Sequence, residues 1–341
     1  MKILVTGSAG FIGSHLVDFL LTQNHQVFGV DDLSGGFRQN VNPKSIFYQL
    51  DLRKKLESET LISSIKPQLI YHLAADATES RSLYTPIEAT ERNYNAYLNV
   101  LVAAIKSGVK KIVLTSSISV YGDQKPPFSE SLSKRPVDVY GIAKAAMEDI
   151  THIFSQVYKY EYTIVRPHNV YGPRQNLADP YRNVIGIFIN CLLSGKRFYI
   201  YGDGAQKRAF SYIDDVAPYI IKSGMLKETA GEIINIGPKD SYTVNDIASE
   251  ILTYFVKNSH QIPKHLKPKY QPKRPQEVEN AVCTDSKARK ILGFKPKTSL
   301  AQGIKKTIAW AKTIGPQPFK YCNEIELNSN QLPIPWRKKL L

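Results

Sequence analysis

An α/β fold, with a parallel sheet covered by helices on both faces, is what this chain predicts, and two observations carry the prediction. The first half alternates short Val/Ile/Leu-rich runs with helical patterns, the sign of repeated βα units whose strands are buried on both sides. In addition, residues 3–13, ILVTGSAGFIG, break an apolar run with Gly7, Gly10 and Gly13 and then open into an amphipathic helix. Such a strand–turn–helix opens a doubly wound, Rossmann-type sheet. A smaller mixed α/β lobe is expected towards the C-terminus.

The expected strands are 2–5, 26–30, 46–50, 69–73, 111–116 and 162–166, with helical patterns between them, notably over 86–107 and 139–158. Ligands of such sheets bind in the crevice beyond the carboxyl ends of the strands. After Arg166 the pattern loosens into Pro- and Gly-rich turns, with helices expected at 184–193, 214–226, 244–255, 286–292 and 300–312. Residues 233–236 read as a last strand returning to the main sheet. Residues 261–275 hold four prolines and read as an extended surface loop. The resulting division is 1–170 for the dinucleotide-binding part, with return segments near 209–236. Residues 171–208 and 237–312 form the substrate lobe. The tail, 313–341, lacks periodicity; Leu332 and Trp336 either dock on the body or the end frays.

The glycine turn lets a backbone approach a diphosphate at a helix N-terminus. About twenty residues on, the second strand ends in Asp31, a carboxylate able to take both ribose hydroxyls and to repel a 2′-phosphate. Gly7, Gly10, Gly13 and Asp31 therefore point to NAD rather than NADP.

Bulk properties narrow the remaining classes. At 341 residues the chain can bury a large core, and 43% hydrophobic with 22% charged residues is ordinary for a globular protein. No apolar run reaches membrane-spanning length, and the first one carries the glycine turn instead of a signal peptide. Cys191, Cys283 and Cys322 are odd in number and far apart, so free thiols in a reducing compartment, the cytoplasm, are expected, without disulfide or metal site. The net charge of +15 is scattered apart from clusters at 264–274 and 337–339. It suits an anionic small substrate better than nucleic acid.

Tyr140 and Lys144, in YGIAK, lie one helical turn apart on one face. A lysine cation beside a phenol favours phenolate and is expected to move Tyr140 towards the range of a general base. Thr115-Ser116-Ser117, at the end of the preceding strand, offers a hydroxyl for the same reacting oxygen.

With these residues, the chain resembles the extended short-chain dehydrogenase/reductase family, specifically its sugar-nucleotide epimerases and dehydratases, and most closely the UDP-sugar 4-epimerases. TGSAGFIG, Asp51-Leu52, HLAA at 72–75, TSSISVYG at 115–122, YGIAK, RPHNVYGPRQ at 166–175 and RAFSYIDDV at 208–216 carry the resemblance. It implies that Gly7, Gly10, Phe11, Ile12 and Gly13 surround the pyrophosphate and that Asp31 takes the adenosine ribose. Asp51 and Leu52 would flank the adenine, while Ala74, Ala75 and Pro167 would line the cofactor groove. Ser117 becomes the catalytic hydroxyl, Tyr140 the base, and Lys144 the ligand of the nicotinamide ribose. Thr78, Ser117, Asn169, Arg208 and Arg274 would hold the nucleotide sugar, the arginines on its diphosphate.

The resemblance also bears on the reaction. Sugar 4,6-dehydratases carry an Asp-Glu pair where this chain has Ile118 and Ser119, and the glutamate of decarboxylating relatives is missing too. What remains is the equipment for reversible oxidation at one carbon. A UDP-sugar 4-epimerase, working as a homodimer through 86–107 and 139–158 with apolar side chains such as Ile150 and Phe154, is the leading expectation. A nucleotide-sugar C4 dehydrogenase or reductase, GDP-linked in one version, and a dinucleotide-sensing scaffold stay as alternatives. Two positions depart from the family pattern: His168 precedes Asn169 where an aromatic is usual, and Glu79 stands in a usually apolar place. Ala281 falls where epimerases limit the room around the sugar C2.

Overall fold

Seven parallel strands form the central sheet: β1 (Lys2–Thr6), β2 (Gln26–Asp31), β3 (Ile46–Gln49), β4 (Leu69–His72), β5 (Lys111–Thr115), β6 (Glu161–Pro167) and β7 (Glu232–Ile236). Their order is β7-β6-β5-β4-β1-β2-β3, as expected for a doubly wound sheet. This computed structural model describes residues 1–256, 262–322 and 324–341. The chain runs outward from β1 to β3, then crosses back to β4 on the other side of β1. The carboxyl ends of β1 and β4 therefore diverge, and a crevice opens there.

Why both faces are covered is visible residue by residue. Ile3, Val5, Leu69, Tyr71 and Val113 point into one core, while Leu4, Ile70, Ile112 and Leu114 point into the other. Alternation along a strand sends successive side chains to opposite faces, and burying each Val, Leu or Ile stabilises by about 1.5–3 kcal/mol. One face is covered by α1 (Phe11–Thr22), whose Leu16, Val17 and Leu20 are buried. The other is covered by α2 (Lys55–Ile65), α3 (residues 86–106) and α4 (Val139–Tyr158).

The helix expected over 86–107 forms with a change of winding inside it. Pro86–Thr90, Glu91–Asn95 and Ala96–Lys106 run on as one helix, α3, whose middle segment is a π turn. Buried Asn93 explains it: its amide donates to the Ala89 carbonyl at 2.8 Å, taking an acceptor that the regular ladder would use. The same side chain exchanges hydrogen bonds with the backbone of Asp76, and so fixes the loop after β4.

Beyond β6 the chain builds smaller pieces around the first core. Tyr199–Tyr201 pairs with Lys269–Gln271, so the proline-rich loop expected over 261–275 is partly a strand; Gln261 lies outside the described residues. Lys207–Ala209 pairs with Ser241–Thr243 and Asn280–Ala281. Helices α5 (Val184–Leu193), α6 (Ala217–Met225), α7 (Val244–Leu252), α8 (Ser286–Leu292) and α9 (Leu300–Ile314) pack on the same core. No helix among the described residues is long and apolar enough to cross a membrane.

The tail docks. Gln317 exchanges hydrogen bonds with Asn190 of α5 at 2.8 and 2.9 Å, and the Lys320 N–H reaches the Ala178 carbonyl at 2.8 Å. The Glu326 carboxylate accepts from the N–H groups of Ile87 and Glu88, capping α3 from outside its own element. Leu332 and Trp336 are buried with Tyr84 and Tyr181. A pattern without period hid this segment because its contacts are with distant chain, one residue at a time.

Candidate active site

The crevice is a continuous cleft of about 1060 Å³. It begins at the glycine turn after β1. Gly7 has φ +67°, and a Cβ there would stand 2.8 Å from the Ala74 nitrogen. A Cβ on Gly13 would collide with the Gly7 carbonyl oxygen. Glycine is required at both places by close backbone approach and, at Gly7, by the left-handed conformation. Helix α1 then starts with no side-chain cap and no acidic residue in its first turn, so its N–H groups are free for an anion. These features fit a dinucleotide diphosphate.

Asp31 lies at the end of β2, where its carboxylate accepts from the N–H groups of Ala9, at 3.0 Å, and Leu33, at 2.8 Å. Burial pushes its pKa up, against those two bonds. Asp51 is held low by the Arg53 guanidinium at 2.6 Å. Phe11, Ile12, Leu52, Ala74, Ala75 and Pro167 line the same groove, and the Thr6 hydroxyl accepts from the N–H of Ala74. The cofactor candidates thus all reach one cleft.

Ser117, Tyr140 and Lys144 converge farther along it. Ser117 follows β5 and caps the short turn Ile118–Tyr121 by accepting from the Ser119 N–H at 3.1 Å. Asp138 caps α4 through the Gly141 N–H at 2.7 Å, which places Tyr140 in the first turn and Lys144 one turn later. The Lys144 ammonium donates to the Thr115 carbonyl at 2.8 Å and stands 5.7 Å from the Tyr140 ring centre. Burial draws Lys144 down to about 7, with Glu148 opposing.

The expected lowering of Tyr140 is not found. Burial pushes its phenol above the ordinary value, and the negative charges of Glu79 and Asp138 push the same way; a hydrogen bond with Ser117 and the charge of Arg182 pull against them. Burial is the largest influence, and it outweighs the pull of the nearby cation.

Sequence reasoning also passed over the support behind these groups. Arg166 and Glu148, both almost wholly buried, pair at 2.5 and 2.8 Å. Ser116 donates to the same carboxylate at 2.5 Å, and Arg166 reaches Tyr121, which donates to Asn235 of β7. This network ties β5, α4, β6 and β7 together directly beneath Ser117. Its sequence signal was a glutamate on the Tyr140 and Lys144 face of α4, one turn further on.

On the opposite wall, the Asn169 amide donates to the Ala209 carbonyl at 2.9 Å from a backbone with φ +26°. Arg208 is tethered to the carbonyls of Lys207, Val278 and Glu279. Arg274 pairs twice with Glu277, at 2.7 and 2.9 Å, and lies over the Tyr201 ring. Thr78 binds Asp76 and accepts from Arg81, and Ala281 also faces the cleft, level with Arg208. All five substrate candidates, Ser117 included, reach the cleft.

His168 takes no part there. It is wholly buried behind the wall, its ring packed against Gly237, and burial lowers it to about 4. Glu79 does take part. It begins the short helix Glu79–Ser82 and, though exposed, faces the cleft, where desolvation between the walls and then the Asp138 charge raise its carboxyl to about 7 against the pull of Arg208 and Arg274. Ser82 links this helix to the catalytic one, donating to the Glu79 carbonyl at 2.6 Å and accepting from the Tyr140 N–H at 3.2 Å.

With that geometry in hand, the comparisons with known proteins are decisive about the family. Residues 3–237 match the model of the NAD dependent epimerase/dehydratase family. The chain belongs to that family. It is accordingly an NAD-dependent enzyme of the sugar-nucleotide epimerase and dehydratase group, and NAD is its cofactor. A putative UDP-glucose 4-epimerase of Methanocaldococcus jannaschii is 35% identical, over 91% of this chain and 98% of the relative. A UDP-glucuronate 4-epimerase of Thermodesulfobacterium geofontis is also 35% identical, over 91% and 95%. Among solved structures, UDP-glucose 4-epimerase of Thermotoga maritima with UDP-glucose superimposes with a TM-score of 0.81 at 34% identity, over 92% of this chain and 99% of that one.

Proposed function

We propose that this enzyme is a UDP-sugar 4-epimerase. The observation that carries the reading is the convergence of Ser117, Tyr140 and Lys144 on the dinucleotide cleft, with Ile118 and Ser119 where an elimination would need carboxylic acids. Gly7, Gly10, Gly13 and the start of α1 would hold the cofactor diphosphate, with Asp31 on the adenosine ribose and Lys144 on the nicotinamide ribose. When bound, NAD⁺ supplies an acceptor for the hydride of the sugar C4 and a positive charge beside Tyr140.

The chain's own groups manage the proton and the position. Tyr140 Oη takes the proton of the C4 hydroxyl and returns it after the sugar has presented its other face. Ser117 holds the same oxygen, and a protonated Lys144, one turn on, would bring positive charge beside the phenol against the burial that opposes its ionisation. Arg208 and Arg274 hold the diphosphate while the sugar turns, because a guanidinium fork matches phosphate oxygens. Thr78 and Asn169 border the sugar. A homodimer through α3 and α4 and a cytoplasmic location belong to the same reading. Ile142, Ile153, Val157 and Tyr158 of α4 are exposed, whereas the anticipated Ile150 and Phe154 are part of the core edge.

Incubation with UDP-glucose, UDP-N-acetylglucosamine and UDP-glucuronate, followed by proton NMR at C4, tests the proposal. Inversion of one of them, with NAD released in equimolar amount on denaturation, is expected. No inversion of any UDP-sugar would remove it. Glu79 favours a second reading, a sugar-nucleotide reaction with a further proton transfer beside C4. Its mark would be solvent hydrogen exchanged into a ring carbon.

A further inference from the structure

The segment after α9 has no role in the chemistry above, and the motifs of the family resemblance end before it, near residue 312. Yet it returns to line the cleft, and its short helix Ile334–Arg337 puts Trp336 into the wall. Trp336 is 5% exposed and meets Tyr181 and Tyr201 edge to face, with ring centres 5.1 and 6.1 Å apart. Its indole N–H and the Tyr201 hydroxyl are both buried and have no hydrogen-bond partner among the described residues. A buried polar group left unmet is costly, and both residues line the same cleft.

The third member of the group is Arg274, whose guanidinium lies 4.8 Å from the Tyr201 ring centre. Aromatic faces, two unmet polar groups and an arginine together suit a planar heterocycle with carbonyl acceptors, joined to phosphate. We propose that the C-terminal tail forms part of the nucleotide-binding wall and that Trp336 contacts the nucleoside of the substrate. The inference rests on the UDP-sugar reading and adds the residue that recognises its nucleoside. It also gives the tail anchors a purpose. Gln317 on α5 and Glu326 on α3 hold the segment to the body before it reaches the indole.

The chain has two tryptophans, so Trp310→Phe in the full-length holoenzyme leaves Trp336 as the only indole reporter. UDP should change its emission saturably. In calorimetry, Trp336→Ala should weaken UDP binding by about tenfold, the loss of one base–aromatic contact. Trp336→Phe, which keeps the packing but removes the N–H, should weaken it less, and both variants should keep their NAD. UDP binding unchanged or tightened in both NAD-loaded variants would overturn the inference alone, since the tail would then be passive or a plug. A parent enzyme that binds no UDP would overturn the UDP-sugar reading and the inference with it.

Discussion

The two walls of the cleft are built in opposite ways. The wall proposed for the cofactor diphosphate is made of backbone: one turn after β1, free N–H groups at the start of α1, and glycines where a Cβ would strike main chain. The substrate wall is made of side chains drawn from distant segments, Asn169, Arg208, Arg274 and Trp336, each held by a different partner. A backbone cradle fixes one ligand shape and tolerates little change. A wall of separate side chains can be altered one residue at a time, so one fold can hold one cofactor while substrates vary. Of the two departures from the family pattern, Glu79 accordingly faces the cleft on the substrate side, while His168 lies behind the wall.

The largest effect should come where the walls meet. Tyr140→Phe should lower turnover by roughly 10²–10⁴-fold, the worth of a positioned proton-transfer group, while bound NAD stays at full occupancy by absorbance after denaturation. Retained turnover would remove Tyr140 as the base. Next comes the support beneath Ser117. Glu148→Ala leaves Arg166 buried without its carboxylate, and chemical denaturation should register a loss of about 3–5 kcal/mol; a loss within about 0.5 kcal/mol, as for an ordinary surface change, would mean that the network does not brace the site.

The cofactor wall should be intolerant in a different way. Gly7→Ala forces a side chain into a left-handed backbone and against Ala74. It should lower stability by about 1–3 kcal/mol and empty the protein of NAD, whereas an NAD-loaded variant would contradict the cradle. The smallest effect concerns pH. Glu79 is raised from its usual 4.5 to about 7, so the folded state holds a proton that the unfolded chain has already released. Its contribution to stability is full below about 4.5 and disappears as the pH rises through about 7. Glu79→Gln should flatten that decline in thermal unfolding between pH 4.5 and 7, and an unaltered slope would place the titration elsewhere.

The same contrast explains what was legible in the sequence. The strands, the glycine turn and the Tyr140–Lys144 spacing are local patterns, and they appear in the structure where the periodicity put them. The π turn in α3 was hidden because it depends on Asn93 meeting Asp76, far along the chain. The raised phenol of Tyr140 was hidden because it depends on burial in the folded chain and on Glu79 from a distant segment, besides nearby Asp138. The place of Trp336 depends on Tyr181 and Tyr201, which no spacing near Trp336 announces. His168 looked chemical beside Asn169, but its ring is buried behind the wall against Gly237.

The most direct test of oxidation and return at a single carbon follows isotopes. A UDP-hexose carrying deuterium at C4 should be converted in ordinary water with that deuterium retained at C4 of the epimer, and the unlabelled sugar in heavy water should gain no carbon-bound deuterium. Loss of the C4 label, or deuterium entering any ring carbon, would contradict the account.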